Sequence, residues 1–312
     1  MENAPAGYYR YPVIRRPVWT WEVPTYFWLG GIAAGSFITA ALAQRFGTGE
    51  DRRYSADGFY IAAAAAAACP PLLIADLGRP ERFLHMLRIF KPLSPMNLGA
   101  WVLTVFAPTA VARAGRQAAE TGVLNGPLGA IARLAPRALT EIAGVVLGLA
   151  LAGYTGVLLA ATNVPLWAKS KLLGGLFTAS ALSSGSAAIS LLATQRRAPD
   201  ETLHRFGQVD RAAAAAEVAM LGGYLAQSGR TARGLVSGRF APVFWGGAAA
   251  STLIPLTLHG MAASRKGPAL RSLSTVAALS SLIGALALRW SIFEAGKESS
   301  EDQEASFELS AG

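Results

Sequence analysis

LTEIAGVVLGLALAGYTGVLLAA, residues 139–161, is an almost unbroken apolar run that contains one carboxylate, Glu141, near its start. About 20 apolar residues in a helix span the roughly 30 Å hydrocarbon core of a bilayer. Comparable runs recur along the chain of 312 residues, of which 52% are hydrophobic and 15% charged. Soluble domains contain about 25% charged residues. The sequence therefore predicts an all-α integral membrane protein that crosses the bilayer several times.

About eight transmembrane helices are expected. They lie at residues 24–44, 59–77, 98–114, 139–161, 171–193, 209–227, 242–262 and 270–293. The first and fifth carry Gly–Gly pairs, and the second and sixth carry alanine runs, which indicates two four-helix bundles. Small residues permit close helix packing, so we expect the alanine-rich helices in the bundle interior. A polar segment, 1–20, precedes the membrane domain, 21–295, and an acidic tail, 296–312, is predicted to be disordered.

An even number of helices places both termini on one side of the membrane, called side X here; the other is side Y. The net charge is +9, and the basic residues are assigned to the short loops, Arg113 and Arg289 among them. Both sides receive equal numbers, so the positive-inside rule does not decide the orientation. Anionic lipid headgroups and a partner subunit are more suitable counterparts than nucleic acid.

The polar segment DLGRPERFLHMLRIFKPLSPM, residues 76–96, separates two apolar runs on side X. It is too charged to lie in lipid, and its aromatic residues and prolines distinguish it from a simple tether. We interpret it as a docking surface at the membrane face. Asp76 and Arg79 could form a capping turn at the end of the second helix. Alternatively, these two residues form the polar mouth of a pocket together with His85 and Arg88.

Histidine and cysteine limit the cofactors that the protein can hold. A bis-histidine haem requires two histidines on facing helices. Only His259 falls within a predicted helix, whereas His85 and His204 fall in loops, so no haem is expected. Cys69 is the single cysteine, and an iron–sulfur cluster requires about four. We expect no iron–sulfur cluster in this chain.

Carboxylates within the helices are the other candidates for chemistry, because ionisable groups in a membrane are costly and mark functional sites. Glu217, Asp210 and Glu141 are candidates for a proton path. Asp210 and Glu217 are seven residues apart and share a helix face. Glu217 could instead be a structural residue that forms hydrogen bonds or an ion pair with Arg211, and Glu141 could complement a helix dipole.

Aromatic residues surround the start of the first helix. Trp21 and Tyr26, with their neighbours Trp19 and Trp28, are typical of an interfacial belt, and could also line a site for a flat apolar ring. Tyr154 follows a glycine within a span and needs a partner for its hydroxyl group. We expect the neighbouring glycines to leave room for a ligand beside it.

Three segments in this order, WTWEVPTYFWLGGIAAGS (19–36), DLGRPERFLHMLRIFKPLSPMNLGAW (76–101) and GYTGVLLAATNVPLW (153–167), resemble the polysulfide reductase membrane-subunit (NrfD) family. The resemblance implies two four-helix bundles without haem or metal. It also implies a partner iron–sulfur subunit of the ferredoxin type and a molybdopterin catalytic subunit, in the inner membrane. A quinone, usually menaquinone, would bind near the docking face.

The tyrosine of the family's Tyr-Thr-Gly motif matches Tyr154, which the resemblance implies to be a quinone contact. Where the family has Asn and His in the first helix, this chain has Val23 and Tyr26. Glu22, Tyr26 and Asp76 are expected to replace them. The function expected is a quinone-reactive membrane anchor with no catalytic residues of its own. A carboxylate-based proton or ion transporter and a passive anchor are the alternatives.

Overall fold

The computed structural model describes residues 14–79 and 81–301, and eight long helices account for most of them. Those helices are α1 (Glu22–Phe46), α2 (Asp57–Asp76), α3 (Pro95–Glu120), α4 (Arg137–Ala160), α5 (Leu173–Gln195), α6 (Asp200–Ser228), α7 (Ala241–Ala262) and α8 (Gly267–Ser299). Each coincides with one predicted helix. The all-α membrane fold is therefore confirmed.

Seven segments among the described residues are long and apolar enough to cross a membrane: α1, α3, α4, α5, α7, α8, and α2 together with the short helix before it, Gly49–Ser55. Helix α6 is not among them, although its 29 residues run from one end of the bundle to the other. Its charged first turns, with Asp210, Arg211 and Glu217 further along, lower its mean hydropathy. The count of eight spans stays a prediction.

The helices form two groups of four in chain order, α1–α4 and α5–α8, which we call the first and second bundles. Helices α1 and α5 are the most buried and cross at the centre of the molecule. The crossing depends on Gly35 and Gly185, because a Cβ on Gly35 would lie 1.8 Å from the carbonyl oxygen of Ala181. Close packing through glycine, as the sequence indicated, joins the bundles.

The prediction that the alanine-rich helices are interior was wrong. Only about a third of the apolar window that contains α2 is buried, against 78% for α1 and 72% for α5. On α6, Ala212, Ala215 and Ala216 are exposed on the outer surface. Alanine therefore serves here as a helix former on peripheral helices, and glycine provides the close approaches.

Two arginines assigned to loops are buried within helices. Arg113 on α3 is fully buried, lies 4.0 Å above the Phe59 ring and forms a salt bridge of 2.9 Å with Glu141. Arg289 on α8 is 1% exposed. Helix α8 also continues to Ser299, four residues into the predicted tail, whereas residues 1–13 and 302–312 lie outside the described part.

Candidate functional site

A pocket lies at the side X end of the first bundle, among α1, α2, α3 and α4. Its cavity volume is about 70 Å³, within about 540 Å³ of empty space that includes the open mouth, and its lining is mostly apolar. Tyr26, Asp76 and Tyr154 provide the polar groups, and Trp19, Met96 and Leu158 are among the apolar ones. We call this space the aromatic pocket. It brings together three predicted site residues that are up to 128 positions apart in the chain, from Tyr26 to Tyr154.

Tyr154 reaches the pocket by packing across α3. A Cβ on Gly99 would lie 1.7 Å from Cζ of the Tyr154 ring, so only glycine at this position leaves space for the tyrosine. The glycines beside Tyr154 have a different purpose from the one predicted. A Cβ on Gly156 would lie 2.3 Å from the carbonyl oxygen of Leu173, so Gly156 is required for the contact between α4 and α5.

Tyr26 lies on the opposite wall of the pocket. Its side chain is 1% exposed, and its hydroxyl oxygen has no hydrogen-bond partner among the described residues. A buried hydroxyl group without a partner is costly and uncommon. The ring packs near Gly30, and the phenol is close enough to Tyr154 for the two to interact electrostatically. The pocket therefore holds a hydrogen-bonding group that a ligand could satisfy.

The mouth of the pocket contains two carboxylates connected through Thr20. The backbone N–H and the hydroxyl group of Thr20 donate to Oδ1 of Asp76 over 3.2 and 3.4 Å. The same hydroxyl group contacts Glu22. Both carboxylates are half-buried, and only Asp76 lines the pocket itself. Asp76 therefore lies at the boundary between the pocket and the outside, with Glu22 connected to it through Thr20.

Besides Glu22, three predicted site residues lie outside the pocket. Trp21 is 55% exposed and points away from the bundle, consistent with an interfacial residue. Arg79 and His85 are exposed on the loop above the mouth and do not line the pocket. Sequence reasoning missed Gly99, Met86 and Met96, all within the second of the three quoted segments. Which side of the loop and of the first turns of α3 faces the pocket depends on tertiary packing, which a sequence pattern does not show.

The loop that covers the pocket is held by Asn97. Its Oδ1 accepts from the N–H of Lys91 over 2.6 Å, and its Nδ2 donates to the carbonyl oxygens of Met86 and Ile89 over 2.5 and 3.0 Å. The loop contains a short helix, Glu81–Met86. The side chain of Asn97 thus holds the loop at Met86, Ile89 and Lys91. Met86 and Met96, on either side of this part of the loop, line the pocket.

A stack of aromatic rings lies beside the pocket and connects the two bundles. Trp19 stacks on Trp167 and Phe293 with ring centroids 6.1 and 6.3 Å apart. The indole of Trp167 donates to the carbonyl oxygen of Ile292 over 2.9 Å. The Val-Pro-Leu-Trp end of the third quoted segment is therefore structural, and it anchors the wall formed by Trp19.

Comparison with known proteins agrees with this arrangement. The family model described as "Polysulphide reductase, NrfD" matches residues 12–299. The protein belongs to the NrfD family. It is 30% identical to the C subunit of polysulfide reductase from Wolinella succinogenes over 305 residues, which cover 90% of this sequence and 94% of the relative. It is 28% identical to protein NrfD of Escherichia coli, over 61% of this sequence and 64% of the relative.

In this NrfD-family protein the predicted proton-path carboxylates do not form one group. Glu141 belongs to the first bundle and accepts from Arg113 and Arg137 over 2.9 and 3.0 Å, which supports a structural role near side Y. Asp210 and Glu217 belong to the second bundle, where they are 1% and 0% exposed. No group of three His, Cys, Asp or Glu side chains suited to a metal ion occurs in the described ranges.

Proposed function

We propose that this protein is the membrane anchor and quinone-reactive subunit of a respiratory oxidoreductase, and that the aromatic pocket is its quinone site. The observation that supports this most is the juxtaposition of Tyr154, Tyr26 and Asp76 in one apolar pocket that opens at a membrane face. Ligand sites combine mostly apolar walls with a few convergent polar groups. The unpartnered hydroxyl group of Tyr26 fits a carbonyl acceptor.

The residues have separate tasks in this proposal. A bound quinone would supply two-electron chemistry that takes up or releases two protons. Tyr154 donates a hydrogen bond to one carbonyl oxygen, and its ring is fixed against Gly99. Tyr26 serves the opposite oxygen, and Asp76 with Glu22 connects that side to water. Trp19 and Leu158 supply apolar surface for the ring and its tail.

The partner that exchanges electrons is proposed to be an iron–sulfur subunit, itself bound to a molybdopterin subunit. The loop above the pocket presents Arg82, Arg88 and Lys91 together with exposed apolar side chains such as Phe90, 57% exposed, and Leu93, 97% exposed. Charged side chains around an apolar centre are typical of a protein interface. Electrons would pass over a short distance because the pocket lies directly beneath this loop. The bacterial inner membrane is the proposed location.

A binding measurement tests this function. The full-length protein in detergent is titrated with a fluorescent quinone analogue, whose emission is expected to change on binding. Tyr154→Phe removes the hydroxyl group and leaves the ring against Gly99, so we expect weaker binding without a change in Tm. Tyr60→Phe on α2 is the matched control, because Tyr60 does not line the pocket.

The same titration distinguishes a quinone site from a passive anchor. A passive anchor would bind the analogue no better in the wild type than in the Tyr154→Phe and Tyr26→Phe double variant. Equal affinity of these two proteins therefore contradicts the proposed function. In membranes that contain the whole complex, Tyr154→Phe should lower quinone-linked turnover, whereas turnover with a soluble electron donor or acceptor should stay at the wild-type rate.

A further inference from the structure

The second bundle buries four ionisable side chains that the aromatic pocket does not use. Asp210, Glu217, His259 and Arg289 lie on three helices, and each is at most 5% exposed. Burying such groups in a membrane domain costs several kcal/mol, and they mark pathways for ions or protons more often than elsewhere. The question is whether water can reach any of them.

His259 and Asp210 form a direct pair. The Nε2 atom of His259 lies 2.9 Å from Oδ2 of Asp210. The hydroxyl groups of Ser183 and Ser281 also donate to this carboxylate, over 2.6 and 3.2 Å. In the tautomer that carries its proton on Nε2, the imidazole donates to Asp210, and Nδ1 is then the open nitrogen.

A polar pocket on side Y reaches His259. Its cavity volume is about 90 Å³, between the first turns of α6, the last turns of α7 and the start of α8. His204, Gln208 and Arg211 line it together with His259 and Ser274. One water needs about 10–15 Å³ of such volume, so several fit. The hydroxyl group of Ser274 is buried and has no partner among the described residues, which suits a water donor or acceptor there.

The ring of His259 stands between this pocket and Asp210. A Cβ on Gly207, a residue that also lines the pocket, would lie 2.8 Å from Nδ1 of His259. One ring nitrogen thus faces the pocket side and the other faces the carboxylate. This is the arrangement that a proton shuttle requires, since imidazole can take a proton on one nitrogen and release one from the other.

Glu217 lies deeper, seven residues or about 10 Å further along α6. One of its oxygens accepts from Ser251 over 2.9 Å, and the other has no hydrogen-bond partner among the described residues. Ser251 belongs to a π-helical segment, Ala249–Leu253, that precedes Pro255. Proline has no N–H for the carbonyl group one turn earlier, which explains the irregular turn. Such π-bulges occur frequently at functional sites.

Arg289 balances this inner carboxylate. Its guanidinium group donates to Ser180 over 2.9 Å and to the carbonyl oxygen of Phe177 over 3.2 Å, and it interacts electrostatically with Glu217. The Phe27 and Phe177 rings, 6.3 Å apart, stand at the boundary between the bundles, where a Cβ on Gly31 would lie 3.0 Å from Arg289. The inner group therefore lies near α1, which also carries Tyr26.

We propose that His259 and Asp210 form a proton-exchange site that is open to water on side Y, opposite to the aromatic pocket, with Glu217 as the inner proton acceptor. A hydronium ion in the pocket gives its proton to Nδ1 of His259 and becomes water, while Nε2 releases its proton to the Asp210 carboxylate. The imidazole ends neutral and the carboxyl group protonated, so charge and atoms balance. Ser183, Ser281, Ser180 and Ser251 line the interior between the two carboxylates.

Among the described residues, few charged or titratable groups lie near His259 and Asp210. Helix α6 contributes His204 and Arg211 at the mouth and Glu217 from within. Helices α5 and α8 contribute the serine hydroxyl groups, and α8 adds Arg289 at the inner end. Proton exchange here does not require a quinone, so this proposal goes beyond the proposed function and can fail or succeed independently of it.

Cysteine accessibility tests the route of water. Cys69 is the single cysteine and is buried, so Cys69→Ser gives a clean background. Gln208→Cys, Ser274→Cys and the fully buried Ala187→Cys are then introduced one at a time in the full-length protein. A membrane-impermeant thiol reagent is added to one side of sealed vesicles. We expect the first two variants to react from side Y alone and Ala187→Cys to remain unreactive.

Infrared spectroscopy tests the proton exchange itself. The difference spectrum of the purified protein between acidic and alkaline buffer should contain carboxyl and imidazole bands that Asp210→Asn removes. Glu294→Gln, at the side X end of α8, is the control, because its carboxylate pairs with Lys297 outside this site. The proposal is overturned if Ser274→Cys is as unreactive as Ala187→Cys or reacts from side X. It is also overturned if Asp210→Asn leaves the spectrum unchanged.

Discussion

The ring of Tyr154 on α4 occupies the place where any side chain on Gly99 of α3 would stand, with Cζ only 1.7 Å from the position of a Cβ atom. The two residues are far apart in the sequence, yet they belong to two of the three segments that carry the family resemblance. The ring of Tyr154 in the third segment therefore explains why residue 99 in the second segment is glycine.

Gly99→Ala should displace the Tyr154 ring from its position. We expect the affinity for a quinone analogue to fall about tenfold or more, equivalent to ~1.4 kcal/mol of binding free energy. Gly115→Ala on the same helix is the control, because its Cβ would meet only Ala132 at an ordinary distance of 3.8 Å. Titration of both variants in detergent is the measurement. Equal affinities would show that the position of Tyr154 does not matter for binding.

Gly35→Ala should weaken the crossing of α1 and α5. The added methyl group would meet the backbone of Ala181, which cannot move without shifting a helix, so we expect a loss of about 1–3 kcal/mol or more of stability. Gly222→Ala on α6 has nothing within 4 Å and should leave Tm unchanged or slightly raised. Thermal unfolding followed by tryptophan fluorescence compares the two. A similar Tm for both would contradict the central role of this crossing.

Glu141→Gln should destabilise the first bundle. It leaves the fully buried Arg113 without its charge partner, and breaking a buried ion pair costs about 3–5 kcal/mol. Glu120→Gln removes the partner of the more exposed Arg116 on the same helix as Arg113 and should cost about 0–1 kcal/mol. Thermal unfolding of both variants is the measurement. The proton-path alternative for Glu141 predicts the opposite pattern, in which Tm is retained and proton-coupled turnover is lost.

Asn97→Ala should release the loop above the aromatic pocket, because three hydrogen bonds to that loop disappear. Trypsin should then cleave after Arg88 faster than in the wild type, and the partner subunit should be retained less well during purification. Asn163→Ala, in the next side X loop, is the control. Unchanged cleavage rates would mean that the loop is held by contacts other than Asn97.

Much of the fold was predictable because the composition of a short stretch of sequence shows whether it can span a membrane. The eight predicted helices coincide with α1–α8, and the glycines of α1 and α5 indicated where helices approach closely. The position of the alanine-rich helices was not predictable in the same way. A small residue permits burial but does not require it, and α2 and α6 use alanine on outer faces.

The candidate site was predictable in part. Tyr154, Tyr26 and Asp76 were selected from aromatic and acidic patterns and from the family resemblance, and the structure places them in one pocket. Arg79 and His85 shared their segment with Asp76 but face outward, since a loop has no periodicity from which to read direction. The pairing of His259 with Asp210 depends on the crossing of α6 and α7, which no local pattern specifies.

Photoaffinity labelling tests the central claim most directly. An azidoquinone is cross-linked to the full-length protein in its native complex, and the modified peptides are identified by mass spectrometry. A quinone in the aromatic pocket predicts labels on the segments around Tyr26, Met96 and Tyr154, and their loss when an excess of unmodified quinone competes. Competable labels confined to the second bundle or to the outer surface near Phe46 would contradict the assignment of this pocket.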